Sequence, residues 1–180
     1  MAYSYEGSAI ELLLNHCLLP GETSFKESGT TVSVKPEIGE TILFFSIDDQ
    51  SNSKCGLRKL FWGTQESQKL CDMIVFYANK DGKRVFCFVE LKANFKDLKK
   101  ATEQVINTYK AFKKHLNLQN VYKFKAFICA SRGSVPQEHQ QCNIDLAKVF
   151  QKDNFKSNGK GQEFGDFLRE KQPKGRRKKR

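Results

Sequence analysis

The stretch that decides the fold is residues 72–92, DMIVFYANKDGKRVFCFVELK. Two runs of β-branched and aromatic residues, 73–77 and 85–89, flank a polar segment that contains Asp81 and Gly82. Runs of this kind joined by a Gly-containing turn predict a β-hairpin. The second run is apolar at every position, which is typical of a strand that is covered on both faces of a sheet.

Charged residues follow this second run directly, as Glu90 and Lys92. Residues two apart on a strand point to the same side, so both charged side chains face one place and Leu91 turns into the core. Burial of a charge without a partner or a metal ion costs several kcal/mol, so a buried pair at this position indicates a site. An exposed strand end with a solvated ion pair is the alternative.

The hairpin loop decides which residue lies opposite Glu90. A three-residue loop, 80–82, with Gly82 in the left-handed conformation makes paired residue numbers sum to 162 and places Asp72 opposite Glu90. A two-residue loop gives a sum of 163, places Asp72 opposite Leu91 and turns its carboxylate to the other face. We predict the three-residue loop, because it pairs two acids that one divalent cation can bridge.

The rest of the chain predicts helices and further strands around this hairpin. Apolar residues at helical spacing predict a first helix over 8–18, a long amphipathic helix over 98–112 and a weaker helix over 138–153. β-Branched and aromatic runs predict strands over 31–34, 41–47 and 121–129, with an exposed connection over 49–69. This mixture predicts an α/β domain.

The composition limits the class of protein. A chain of 180 residues, 39% of them hydrophobic, is long enough for one domain with a real core. No apolar run approaches the twenty or so residues that a membrane-spanning helix needs, and segment 10–19 lacks a basic secretory leader. We therefore expect an intracellular, cytoplasmic protein with no membrane contact. Six cysteines without a CxxC pair predict buried free thiols.

The net charge of +11 predicts a polyanion as the partner, here nucleic acid. We divide the chain into a domain over 1–158 and a basic extension over 159–180. The last seven residues carry six cations, so the body without them keeps +5. We expect this tail, 174–180, to be disordered and to anchor a polyanion electrostatically. Its cations are Lys174, Arg176, Arg177, Lys178, Lys179 and Arg180.

The long helix adds a second basic stretch after the strand that ends in Glu90 and Lys92. Its lysines line a phosphate track or form only a solvated face. The residues that we select as candidates for nucleic-acid binding here are Lys96, Lys99, Lys100 and Lys110.

Asp72, seventeen intervening residues and Glu90-Leu91-Lys92 resemble the PD-(D/E)xK nuclease superfamily. The resemblance covers roughly residues 8–130. Cys71 stands where the superfamily's name has a proline. Gln104 resembles the glutamine of the helix motif in RecB-like members, although Thr108 stands at the position of the expected aromatic residue.

This resemblance implies a restriction-endonuclease-like fold, with a mixed central β-sheet flanked by helices. It implies a metal-dependent nuclease that hydrolyses DNA or RNA, as an endonuclease in defence, restriction or nucleic-acid processing. A homodimer or a protein partner would supply target specificity. A basic nucleic-acid-binding module without cleavage is the alternative function, and the three intact charges Asp72, Glu90 and Lys92 favour the enzyme.

The resemblance also implies roles for individual residues. Asp72, Glu90 and the Leu91 carbonyl would hold one or two Mg²⁺ or Mn²⁺ ions through oxygen ligands. Lys92 would orient or deprotonate the attacking water, with its pKa lowered by the metal and by burial. Gln104 would orient Lys92 or a phosphate, or it is only a polar residue beside the buried stripe of its helix.

Glu11 has two interpretations. It matches the acid on the first helix that completes the metal site in many members of the superfamily. Ser8 and Glu11 also have the spacing of a helix capping box, and the sequence leaves both interpretations open.

Overall fold

A computed structural model of the chain describes residues 9–48, 57–62, 70–115, 121–130 and 136–171. Several predictions concern residues outside these ranges. They are the capping role of Ser8, the thiol of Cys55, most of the connection over 49–69, and the tail over 174–180.

The described chain forms one large sheet, one small sheet and helices around them. The strands are β1 (Leu18–Leu19), β2 (Ser24–Glu27), β3 (Thr30–Ser33), β4 (Glu40–Ser46), β5 (Met73–Asn79), β6 (Arg84–Lys92), β7 (Lys123–Ala130) and β8 (Phe155–Gly159). The α-helices are α1 (Ala9–Leu12), α2 (Leu57–Trp62), α3 (Leu98–His115), α4 (Pro136–Val149) and α5 (Phe164–Arg169). A π-helical turn covers Leu13–Cys17, and short 3₁₀ turns cover Phe95–Asp97, Lys152–Asn154 and Gly161–Glu163.

The large sheet is mixed and has β6 near its centre. Its strand order is β1-β4-β5-β6-β7-β8, and β2 pairs with β3 as a separate hairpin. The neighbours from β1 to β6 are antiparallel, whereas β6, β7 and β8 run parallel. Helix α3 connects β6 to β7 and helix α4 connects β7 to β8, because parallel neighbours need a long crossover connection. A mixed α/β architecture is therefore confirmed.

The register of the central hairpin is the predicted one. Met73 pairs with Val89, so the paired numbers sum to 162. Asn79 N–H donates to the Lys83 carbonyl at 3.1 Å, which closes the three-residue loop. Gly82 has a φ of 84°, a left-handed conformation that glycine adopts without a steric penalty.

Residues of β5 and β6 alternate between two cores. Ile74, Phe86 and Phe88 pack on one face with α3 and the π-helical turn after α1. Val75, Cys87 and Leu91 belong to the other core, which the β2–β3 hairpin and α5 cover. Residues 85–91 are all buried, so β6 is covered on both faces as its sequence predicts.

The predicted helices and strands are found with changed ends, and others were not predicted. The first helix changes to a π-helical turn at Leu13, while the predicted strand over 121–129 begins at Lys123. Strands β1, β2 and β8 and helices α2 and α5 have no counterpart in the sequence prediction. The apolar content of β2 and β8 is too low for the pattern to indicate a strand.

The described part of the basic extension packs into the domain. Phe164 and Leu168 of α5 are fully buried beside Phe127 of β7. Residues 159–169 therefore belong to the same packed unit as the sheet, so the boundary that we placed after residue 158 lies inside it.

Two expectations from composition can be compared with the described residues. Five cysteines are buried free thiols, which confirms the prediction for Cys17, Cys71, Cys87, Cys129 and Cys142. Within the described ranges, no helix combines the length and the apolar content that crossing a bilayer requires.

Candidate active site

Asp72 and Glu90 lie side by side at one end of the central hairpin. Asp72 directly precedes β5, and the register of the hairpin places it opposite Glu90 near the end of β6. The alternation of the strands turns both side chains to the face that α3 covers. Asp72 is 4% exposed and Glu90 is 0% exposed, so the two acids are buried neighbours.

Backbone amides hold the two carboxylates. Leu91 N–H donates to Asp72 Oδ2 at 2.6 Å, and Asp72 N–H donates to Glu90 Oε2 at 3.0 Å. Each acid thus fixes the backbone of the opposite strand. The N–H and C=O of one strand residue point to the same neighbouring strand, so the Leu91 carbonyl also faces the side of Asp72.

Lys92 supplies the cation of the site. Its Nζ forms an ion pair with Glu90 Oε1. The side chain of Lys92 is 18% exposed, which makes it the most open of the three charged groups. The prediction that Glu90 and Lys92 face one place is confirmed, and the alternative of a solvated strand end is wrong because Glu90 is fully buried.

Burial strongly raises the pKa of both acids. Burial, with smaller contributions from the charges of Glu27 and Asp48, raises the pKa of Asp72 to about 7, although the Leu91 N–H and the Lys92 charge act in the opposite direction. Burial also raises the pKa of Glu90 to about 8, with a contribution from the charge of Asp72. Perturbed pKa values of this kind concentrate at functional sites. Glu27 and Asp48 were not selected from the sequence, because neither lies near Asp72 along the chain.

The pKa of Lys92 differs from the expectation. Burial lowers it, but the adjacent Glu90 carboxylate together with the charges of Asp72 and Asp97 outweighs burial, so the net direction is upward. The expected lowering is therefore wrong for the protein without a metal ion. The physical reason is that the expectation included burial and a metal ion but not the charge of Glu90, which the sequence places on the same side of the strand.

Gln104 lies near the acids but contacts a different group from the expected ones. Its Nε2 donates to the Leu70 carbonyl at 2.8 Å, and the side chain is 5% exposed. One turn later, Thr108 Oγ1 accepts a hydrogen bond from Cys71 N–H at 2.8 Å. Helix α3 therefore fixes the two residues that precede Asp72. The described contacts do not join Gln104 to Lys92.

A second threonine lies at the end of β6. Thr30 of β3 donates from Oγ1 to the Lys92 carbonyl at 3.0 Å. Sixty-two residues separate the two partners, so no local sequence pattern could have selected Thr30. Thr108 could have been noticed, since it stands where the RecB-like pattern has an aromatic residue.

The remaining candidates have different environments. Glu11 is exposed on α1, unlike the two buried acids. Lys96, Lys99, Lys100 and Lys110 are all exposed. Lys99 and Lys110 line a groove of about 600 Å³ between α3 and α4, which has lysines and acids in equal number. The other charged residues of this groove are Lys148, Glu103, Glu138 and Asp145.

The donor set can be tested against the cation that the resemblance implies. Within the described residues, no group of three or more His, Cys, Asp or Glu side chains is arranged to hold a metal ion. The candidate ligands are instead two carboxylates and the Leu91 carbonyl, all hard oxygen donors. Mg²⁺ commonly binds one or two carboxylates and keeps waters or substrate phosphates as its other ligands. Asp72 and Glu90 therefore fit Mg²⁺ or Mn²⁺.

Comparisons with known proteins add no relative. No protein-family model, no curated protein and no solved structure matches this chain.

Proposed function

We propose that this chain is a metal-dependent nuclease of the PD-(D/E)xK type, with a restriction-endonuclease-like fold. The observation that carries the proposal is the meeting of Asp72, Glu90 and Lys92 at one end of the central hairpin. Two buried carboxylates beside each other are unfavourable in a purely structural role, because each raises the free energy of ionising the other. Their retention side by side supports a role in binding a cation.

Asp72 and Glu90 would hold the ion through their oxygens, together with the Leu91 carbonyl. A divalent ion bound there supplies an activated water and neutralises negative charge on the scissile phosphate. Amides of Leu91 and Asp72 keep the two carboxylates oriented before any ion binds, which reduces the cost of organising the site.

Lys92 acts at the open side of the site. Its ammonium group remains protonated beside Glu90, so it donates hydrogen bonds to the attacking water or to a phosphate oxygen. In this proposal Lys92 orients the reacting groups, which is one of its two expected roles; the other is to deprotonate the attacking water.

The net charge of +11 supports nucleic acid as the polyanionic substrate. We propose an endonuclease that acts on DNA or RNA inside the cell, with Mg²⁺ or Mn²⁺ as its cofactor. Target choice would then come from surface loops, the basic tail, a second copy of the chain or a protein partner.

The direct test incubates purified protein with circular plasmid, circular single-stranded DNA and RNA, each with Mg²⁺, Mn²⁺ or EDTA. We expect cleavage of at least one substrate with a metal ion and none with EDTA. Asp72→Asn and Glu90→Gln should each abolish it. Asp145→Asn is the matched control, because it neutralises an acid that is 40% exposed on α4.

Two results would contradict the proposal. Cleavage that survives both Asp72→Asn and Glu90→Gln would remove these acids from the mechanism. Binding of nucleic acid with no cleavage under any metal condition would favour the alternative, a basic binding module without catalysis.

A further inference from the structure

Two buried threonine hydroxyls bind backbone groups immediately beside the site residues. Thr108 is 0% exposed and Thr30 is 5% exposed. They approach from opposite sides, since Thr108 belongs to α3 and Thr30 to the β2–β3 hairpin on the other face. Neither side chain contacts the carboxylates or the ammonium group through a described hydrogen bond.

Thr108 fixes the entry to β5. Its Oγ1 accepts from Cys71 N–H at 2.8 Å and donates to the Gln104 carbonyl at 2.7 Å. A hydroxyl that both accepts and donates has its orientation determined by its partners. Cys71 is the residue before Asp72 and is itself fully buried. Together with the bond from Gln104 to the Leu70 carbonyl, this hydroxyl ties the backbone that leads into Asp72 to helix α3.

Thr30 fixes the exit from β6. Lys92 is the last residue of this strand, and Thr30 Oγ1 donates to its carbonyl at 3.0 Å. The bond restrains the backbone from which the Lys92 side chain extends toward Glu90. It also ties the β2–β3 hairpin to the end of β6, the strand that carries Glu90.

We propose that Thr30 and Thr108 are positioning residues of this site, Thr30 for Lys92 and Thr108 for Asp72. This inference rests on the proposed nuclease function and adds two residues to it. Partners one step removed from a metal ligand typically change metal affinity or activity by about 10- to 100-fold when they are lost. We expect that range for the isosteric changes Thr30→Val and Thr108→Val, which keep the shape and remove the hydroxyl.

The test compares each valine variant with a serine variant at the same position. Thr30→Ser and Thr108→Ser keep the hydroxyl, so they should retain most of the activity. The valine variants should lower kcat by about 10- to 100-fold and leave the affinity for nucleic acid in EDTA unchanged. Calorimetry with Mn²⁺ alone should show weaker binding in Thr108→Val.

Two controls separate positioning from general destabilisation. Thr102 lies on the same helix as Thr108. Thr102→Val removes a buried hydroxyl that, in the described chain, has no hydrogen bond to the segment before Asp72. Thr31→Val removes an exposed hydroxyl next to Thr30. Melting temperatures are measured for all variants, and Thr30→Val keeps the proposal testable if Thr108→Val fails to fold.

Amide hydrogen exchange provides a readout that needs neither cleavage nor metal. Leu91 N–H is held by the Asp72 carboxylate, so its exchange rate reports whether Asp72 keeps its place. Thr108→Val should accelerate exchange at Leu91 more than Thr102→Val does. If the wild-type protein neither cleaves nucleic acid nor binds Mn²⁺, the proposed function fails, and this exchange comparison alone decides the positioning role of Thr108.

Unchanged kcat, Mn²⁺ affinity and Leu91 exchange in the valine variants would overturn the inference. Losses that serine does not restore, or that Thr102→Val reproduces, would overturn it as well. Losses confined to the valine variants at positions 30 and 108, with serine rescue, support it.

Discussion

At the scale of single residues, the site stores an unfavourable interaction. Asp72 and Glu90 are both buried, burial raises the pKa of each, and the charge of Asp72 contributes to the rise at Glu90. Lys92 neutralises only part of this charge. A residue kept at a cost to stability commonly has a function that compensates for it.

Asp72→Asn should therefore stabilise the protein in EDTA at pH 8. The pKa of Asp72 is about 7 in the folded chain and 3.8 in the reference state, so the folded state binds more protons between these values. Stability then falls as pH rises through this window, and asparagine avoids that loss. We expect a gain of about 1 to 2 kcal/mol at pH 8 that disappears near pH 4. Urea unfolding at both pH values measures it, and an equal gain at both would contradict the argument.

Lys92→Ala should abolish cleavage and leave nucleic-acid binding largely intact. Lys92 acts on the reacting groups, whereas the many other cations of the chain supply most of the affinity. Single-turnover cleavage and filter binding measure the two properties separately. Lys148→Ala, which removes a lysine that is 65% exposed on α4, is the control. Equal losses of binding and cleavage in Lys92→Ala would make Lys92 a phosphate contact only.

At this scale, the sequence predicted the neighbouring acids Asp72 and Glu90 but not Thr30, which binds the backbone beside them. The loop arithmetic predicted that Asp72 lies opposite Glu90, because hairpin register depends on local turn geometry. The contact of Thr30 with Lys92 depends on the docking of a distant hairpin, which no local pattern encodes. The net pKa direction of Lys92 was also missed, because the combined effect of the Glu90, Asp72 and Asp97 charges depends on distances that the sequence does not give.

At the scale of elements, α5 is held on the sheet by a partly buried ion pair. Arg169 donates from Nε to Glu40 Oε1 at 2.8 Å and from Nη2 to Glu40 Oε2 at 2.7 Å. Tyr77 O–H donates to the same carboxylate at 2.9 Å. The Arg169 guanidinium lowers the pKa of Glu40 to about 2. A two-pronged, charge-assisted contact of this kind is among the stronger polar interactions.

Glu40→Gln should destabilise the fold at neutral pH but not in strong acid. The pKa of Glu40 is about 2 when folded and 4.5 in the reference state, so its contribution is full above pH 4.5 and lost as pH falls to 2. We expect a loss of about 2 to 3 kcal/mol at pH 7 that vanishes near pH 2. Denaturant unfolding at pH 7, 4.5 and 2.5 measures the trend.

The control for this prediction is Asp145→Asn. Asp145 pairs with Lys148 on the surface of α4, where both side chains are well exposed. Exposed pairs contribute little, so this change should leave stability unaltered at every pH. A loss in Glu40→Gln that is as large at pH 2.5 as at pH 7 would show that the side chain acts through packing and not through its charge.

Elements with strong apolar periodicity were predictable from the sequence, and polar ones were not. The apolar stripe of α3 and the runs of β5, β6 and β7 identified these elements because burial determines their residue types. Strand β8 contains Lys156, Ser157 and Asn158, and its partner β7 holds it in place through backbone pairing. Backbone hydrogen bonds do not determine the residue type, so strands held mainly by them cannot be predicted from an apolar pattern.

At the scale of the whole molecule, several lysines of the domain pair with nearby acids. Lys83, Lys123 and Lys125 converge on the Glu170 carboxylate at 2.8, 2.5 and 3.1 Å. Lys156 pairs with Glu163 at 2.6 Å. Lysines engaged in this way contribute less to attracting a distant polyanion than their number suggests. The segment 174–180 holds six cations and no acid, so it supplies six of the eleven net positive charges of the chain.

Removal of residues 174–180 should weaken the salt dependence of nucleic-acid binding. Each phosphate neutralised on duplex DNA adds about 0.9 to the slope of log affinity against log salt, so loss of most of six cations should flatten it by about 3 to 5. Binding is measured from 50 to 300 mM salt for the full chain, the truncation and a full-length variant with glutamine at the six cationic positions. Agreement between the last two would assign the effect to charge and not to chain length.

Turnover at saturating substrate should stay close to that of the full chain in both altered proteins. The groups that we assign to the chemistry, Asp72, Glu90 and Lys92, are held by contacts within the sheet, α3 and the β2–β3 hairpin, so we expect them to keep their places when the tail is removed. An unchanged salt slope would mean that the tail serves another purpose, such as a localisation signal. The body, with its net charge of +5, would then be the sole source of electrostatic attraction, and its unpaired surface lysines would become the residues to test for phosphate contact.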